Sequence, residues 1–167
     1  MGMLSFIKSA GEKLFGGGEA KAAEVAVAAD PSPENIKAMS DAAGDSIATY
    51  INNMNLSVTG LTVTFDAPSG EVTVYGIAAD QETREKVVLC CGNVAGVSSV
   101  NDQMSTDQSG DEAQWYTVES GDNLSKISKE FYDSPNKYMA IFEANKPMLS
   151  HPDKIYPGQV LRIPAEA

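Results

Sequence analysis

The residues able to carry covalent or metal chemistry are few in this chain of 167 residues. Its two cysteines, Cys90 and Cys91, are adjacent inside an apolar run that ends at Gly92. Sequence neighbours rarely bridge each other, and with no second pair there is neither a disulfide framework nor a metal knuckle, so both read as small core hydrophobes. The single histidine, His151, precedes Pro152 in an expected loop, which leaves no grouping of His, Cys and carboxylate for zinc or for an activated nucleophile. No loop has the glycine pattern that cradles a phosphate, and the 23 Asp and Glu are spread over faces that read as solvated. An enzyme is not expected. What remains is the main chain itself. "IKSAGEK", which contains Gly11, and "GNVAGV", which begins at Gly92, are bends where backbone carbonyls escape the ladders of helix and sheet.

Lys and Arg number 12 against those 23 acids, a formal charge of −11. Phosphate backbones and anionic headgroups are held chiefly by clustered Lys and Arg, so no nucleic-acid partner is expected. The longest apolar runs, residues 25–29 and 87–91 among them, are five residues long, whereas a membrane-spanning helix needs about 20. Residues 1–15 are interrupted by Lys8, Glu12 and Lys13 where a secretory signal requires an unbroken apolar stretch. The expected address is the cytoplasm.

Composition breaks divide the chain. The glycines Gly16 to Gly18 open a Gly- and Ala-rich insert over residues 16–30, the Asp30-Pro31-Ser32-Pro33 step follows, and a polar linker is expected over residues 105–114. In residues 1–15, Leu4, Ile7, Gly11 and Leu14 recur at helical spacing, which predicts a short amphipathic helix or turn docking on its own domain, with a membrane-surface anchor as the alternative. Ser32 is an N-cap ahead of Pro33, opening a helix to Met54 with Ile36, Met39, Ala43, Ile47, Tyr50 and Ile51 near one side. Leu61, Val63 and Phe65, then Val72 and Val74, alternate with polar residues on either side of Ala67-Pro68-Ser69-Gly70, a hairpin with one buried face. Asp80 caps a second helix with Val87, Val88 and Cys91 facing inward and Gly92 as its stop, and a third strand begins at Val97.

The predicted order helix, strand, strand, helix, strand, with "GEVTVYG", "DQETREKVVLCC" and "GNVAGVSSVNDQM", resembles a BON domain over residues 31–104. Residues 115–164 resemble a LysM domain. There Tyr116 and Val118 form a strand, Asp122 caps a helix bearing Leu124, Ile127 and Phe131, and Ser134-Pro135 opens a second with Tyr138, Ile141 and Phe142. Val160, Leu161 and Ile163 in the closing strand complete a βααβ core. The fold class expected is therefore α+β, a BON domain followed by a C-terminal LysM domain.

The LysM resemblance implies N-acetylglucosamine of peptidoglycan in a groove where Gly121, Asp122, Asn123 and Leu124 face Ile155, Tyr156, Pro157 and Gly158. The same glycines and turn residues are also demanded by the fold, so the groove motif does not by itself mean sugar. The full arrangement, "MGMLSFIKSAGEKLF" then BON, linker and LysM, resembles the small cytoplasmic bacterial proteins of BON plus LysM type that bind potassium, a family implying an ion sensor in stress response. The insert at residues 16–30 departs from that family's spacing. Potassium is a weakly hydrated monovalent ion whose selective sites use carbonyl dipoles in place of full carboxylate charges. The resemblance implies a cage of backbone carbonyls from Ile7, Ala10 and Glu12 in the first bend and Gly92, Val94 and Val97 in the second. It implies K+ as the ligand of a monomer, compact when loaded. A protein–protein adaptor is the remaining alternative.

Overall fold

The computed structural model describes residues 3–5, 32–94 and 96–165. Helix α1 (Pro33–Asn53) starts where the Ser32 hydroxyl accepts the Asn35 N–H at 3.3 Å, with Pro33 in the first turn. Proline already matches the helical φ there and lacks an N–H that would otherwise go unpaired. The helix buries Ala43, Gly44, Ile47 and Ile51. Strands β2 (Val58–Asp66) and β3 (Glu71–Asp80) form the antiparallel hairpin, Val63 opposite Val74 and Phe65 opposite Val72. In its turn the Asp66 carboxylate accepts the Ser69 N–H at 3.1 Å and Gly70 adopts a φ of 75°.

Helix α2 (Gln81–Gly92) follows, and β4 (Ser99–Asp102) returns parallel to the first half of β3, Val100 beside Val72. The parallel crossover is what puts α2 across the sheet, because parallel neighbours cannot be joined by a tight turn. β5 (Ser105–Gln108) then pairs in parallel with the second half of β3, so the stretch expected as pure linker supplies a strand.

Residues 3–5 also depart from expectation. They form strand β1 (Met3–Ser5), antiparallel to β4 with Leu4 opposite Val100, where a helix or turn is predicted. An unpaired sheet edge offers a row of N–H and C=O groups to any extended segment, and those bonds outweigh a weak local helical preference. The order across the sheet is β1-β4-β3-β2. Its core gathers Ile47, Ile51, Val72, Val74, Val87, Val88, Cys91 and Val100.

The second module runs β6 (Gln114–Thr117), α3 (Leu124–Tyr132), a 3-10 turn (Pro135–Lys137), α4 (Tyr138–Ala144) and β7 (Val160–Ile163), with β6 and β7 antiparallel. Its own core contains Val118, Leu124, Ile127, Ile141, Phe142, Leu161 and Ile163. Two expected caps differ. Asn123, not Asp122, caps α3 by accepting the Lys126 N–H at 2.8 Å, and Ser134 makes no side-chain capping bond. Val160 does not belong to this core; it packs in the core of the first module.

Candidate functional site

Of the expected carbonyl ligands, Gly92 is the last residue of α2 and Val94 and Val97 lie in the loop that follows it, while Ile7, Ala10 and Glu12 lie outside the described residues. The loop is held from both ends. Asn93 donates its N–H to Leu89 at 3.0 Å, Val97 to the carbonyl of Val94 at 3.1 Å, and Ser98 to the carbonyl of Gly70 at 2.8 Å. The Ser98 hydroxyl donates to the Ser69 carbonyl at 2.7 Å. Val94 and Val97 are 0% exposed and anchor the loop in the core. A Cβ on Gly70 would lie 2.9 Å from Ser98 Oγ and 3.1 Å from Gly96 O, so the hairpin turn touches the loop only because Gly70 has none.

The loop buries Val94 and Val97. Gly92 ends α2, and the last carbonyls of a helix have no intrahelical donor. The Val94 carbonyl accepts the Val97 N–H. Strand β1 runs toward the same loop: Met3 faces Asn101 and Ser5 faces Ser99, two residues from Val97. Among the described residues no three His, Cys, Asp or Glu side chains converge for a metal. Cys90 and Cys91 lie in the core, where burial pushes the Cys90 thiol up to about 12 and raises Cys91 as well. They stay protonated and inert.

Of the residues expected to form the groove on the second module, Asn123 and Leu124 line an open cleft. The cleft, of about 510 Å³, is lined by Asn123, Leu124, Ser125 and Tyr138 on one side and His151, Pro152 and Asp153 on the other. Ile155 packs instead on the module core, and Gly158 donates its N–H to the Val118 carbonyl at 2.8 Å. The Tyr156-Pro157-Gly158 turn closes by a bond from the Gln159 N–H to Tyr156 O at 3.1 Å. Gly121 carries a φ of 88° in the turn before α3. Asp122 accepts the Tyr116 hydroxyl at 2.6 Å and the Glu119 N–H at 2.9 Å, so its side chain serves the turn. Thus Asn123 and Leu124 line the cleft, while Asp122 serves its turn, Ile155 the core and Gly158 the contact with Val118.

Residues 40–108 match the BON domain model and residues 116–164 the LysM domain model. The chain is 39% identical, over 99% of its own length and 100% of the relative's, to the potassium binding protein Kbp of Escherichia coli O6:H1. The chain belongs to the Kbp family. A further 49 residues' worth of likeness, 49% identical and covering 29% of this chain and 19% of the other, joins it to an uncharacterised protein of Deinococcus radiodurans.

In this Kbp-family chain the modules meet along one face of β7. Leu161 and Ile163 point into their own core, whereas Val160 and Arg162, two residues apart, point to α2. Glu85 accepts from Arg162 Nε at 2.9 Å with one oxygen and from the Ala113 N–H at 2.9 Å with the other, and both side chains are buried. Trp115 and Met148 add to the first module's core. None of Glu85, Asn93, Val160 or Arg162 stands out as a joint on sequence. The available sign was an arginine inside the otherwise apolar run Val160, Leu161 and Ile163, a charge that a doubly buried strand tolerates only when paired.

Proposed function

We propose that this chain is a cytoplasmic potassium-binding protein, a sensor or buffer and not an enzyme, whose compact form is favoured when the ion is held by backbone carbonyls. The observation that carries the reading is likeness to a protein named for potassium binding along the entire length of both chains. The loop geometry supports it. Gly92, Val94 and Val97 lie in one constrained bend, and β1 leads toward that bend, with Ile7 two residues beyond Ser5 in the chain. Ile7, Ala10 and Glu12 would complete the cage. Carbonyl dipoles suit an ion that sheds water readily, and they offer a divalent ion too little charge to repay its dehydration.

Calorimetry of the full chain with potassium, rubidium, sodium and magnesium chlorides tests this. Heats for potassium and rubidium that exceed those for sodium and magnesium are expected; equal heats for sodium and potassium overturn selectivity. Removing residues 1–15 abolishes the heat if the first bend donates ligands, and retained affinity in the folded truncation moves the cage elsewhere.

The cleft beside Asn123, Tyr138 and His151 supports a second reading, binding of an N-acetylglucosamine oligomer. Titration with chitotriose that leaves the resonances of these three residues unmoved eliminates it.

A further inference from the structure

Asn93 stands between two of the residues in the ion loop, and its side chain is spent on the other module. Its Nδ2 donates to the Val160 carbonyl at 2.8 Å and its Oδ1 accepts the Val160 N–H at 2.9 Å. The amide thus pairs with the outer edge of β7 as a neighbouring strand would, using both functions of one side chain. Glu85, eight residues earlier and about two helical turns away, lies on the same side of α2 and grips Arg162. Val160 is wedged between these contacts, in the core of the first module.

We propose, on the basis of the potassium reading above, that Asn93 is a positioning residue through which docking of the second module sets ion affinity. The peptide plane before Asn93 carries the carbonyl of Gly92, and the plane after it carries the carbonyl of Asn93 itself and the N–H of Val94. Clasped to Val160, the Asn93 side chain fixes its own backbone and so fixes the direction of the Gly92 carbonyl and the course of the chain into Val94. With the module undocked, the amide turns to water and those planes are free to rotate. Linkage makes the coupling reciprocal: whatever factor docking adds to ion affinity, the ion adds to docking. Only Asn fits the clasp. Ala has neither group, and Asp would set an anionic oxygen against the Val160 carbonyl.

Trp115, the single tryptophan of the chain, packs from the second module against the core of the first, so its emission reports docking. Asn93→Ala and Arg162→Ala are titrated with potassium chloride in the full-length protein, with Trp115 emission followed in parallel. Both are expected to weaken potassium binding about tenfold, although Arg162→Ala leaves the loop's own residues untouched. The double variant should bind no more weakly than the weaker single one, since both break one coupling. In the parent chain, potassium should slow hydrogen exchange at the Val160 amide. Should Arg162→Ala fail to fold, Val160→Ser replaces it as a milder disruption of docking. Parent-like affinity in variants whose Trp115 emission reports separation overturns the proposal and leaves the clasp as structure alone. Weakening by Asn93→Ala but not by the docking variants also overturns it, since Asn93 would then act within the loop. No potassium heat from the parent chain overturns the proposed function itself, and this inference falls with it.

Discussion

Asp80 accepts the Thr83 N–H at 2.8 Å, and that backbone bond holds its carboxyl below the ordinary value of 3.8. The Tyr116 hydroxyl, then the Glu119 N–H, do the same for Asp122, and that carboxylate in turn raises the Tyr116 phenol. A carboxyl with a lowered folded pKa binds protons more weakly than in the unfolded chain. Its stabilisation is therefore full above the ordinary value and fades as pH falls through the folded one. Asp80→Ala is expected to lose about 1 kcal/mol at neutral pH, with the gap to the parent closing below the ordinary carboxylate range, while Asp80→Asn keeps most of the cap. Urea unfolding at neutral and acid pH measures this, and a gap that ignores pH would contradict it. Caps were legible to within a residue. Asp80 was read correctly because a lone acid precedes its helix; Asp122 and Asn123 compete for one role, and only the position of Tyr116 chooses between them.

Helix α1 shows why a residue that weakens an element locally is kept. Gly44 is unfavourable in a helix interior by about 1 kcal/mol relative to Ala, yet a Cβ there would meet the Val63 carbonyl oxygen at 3.0 Å and Thr64 Cα at 3.7 Å. Those atoms belong to β2, held in register by β3, and cannot retreat. Gly44→Ala should accordingly destabilise the protein by about 1 to 3 kcal/mol, despite its better propensity, as a lower denaturation midpoint would record. An increase in stability would mean that α1 slides on the sheet. The hairpin was readable because alternation of apolar and polar residues needs only local information. β1 was not. Residues 3–5, which include Leu4 of the helical spacing, become a strand because β4 presents an open edge, and that edge exists only once the crossover through α2 is made.

At the scale of the molecule, the two modules share a core residue, a buried ion pair and the Asn93 clasp, so under the proposed function an ion held by the loop would act on the whole. A ligand that prefers the native state adds RT ln(1 + [L]/Kd), about 2.7 kcal/mol at a hundredfold excess over Kd. At roughly 2 to 4 °C per kcal/mol for a chain of this size, thermal unfolding in potassium chloride should lie about 5 to 10 °C above that in sodium chloride of equal ionic strength. Identical midpoints would contradict an ion-selective native state. Among the described residues no helix is long and apolar enough to cross a membrane.

Helices, hairpin, module order and family likeness could all be recovered from the chain alone, because periodicity, turn residues and short motifs are properties of neighbours in sequence. The face β7 shows to α2, the pairing of Glu85 with Arg162 and the grip of Asn93 on Val160 span 77 and 67 residues. Such contacts leave no periodic trace, since each depends on which surfaces meet after both modules have formed, and there the burial of an arginine or an amide is decided by the partner it finds.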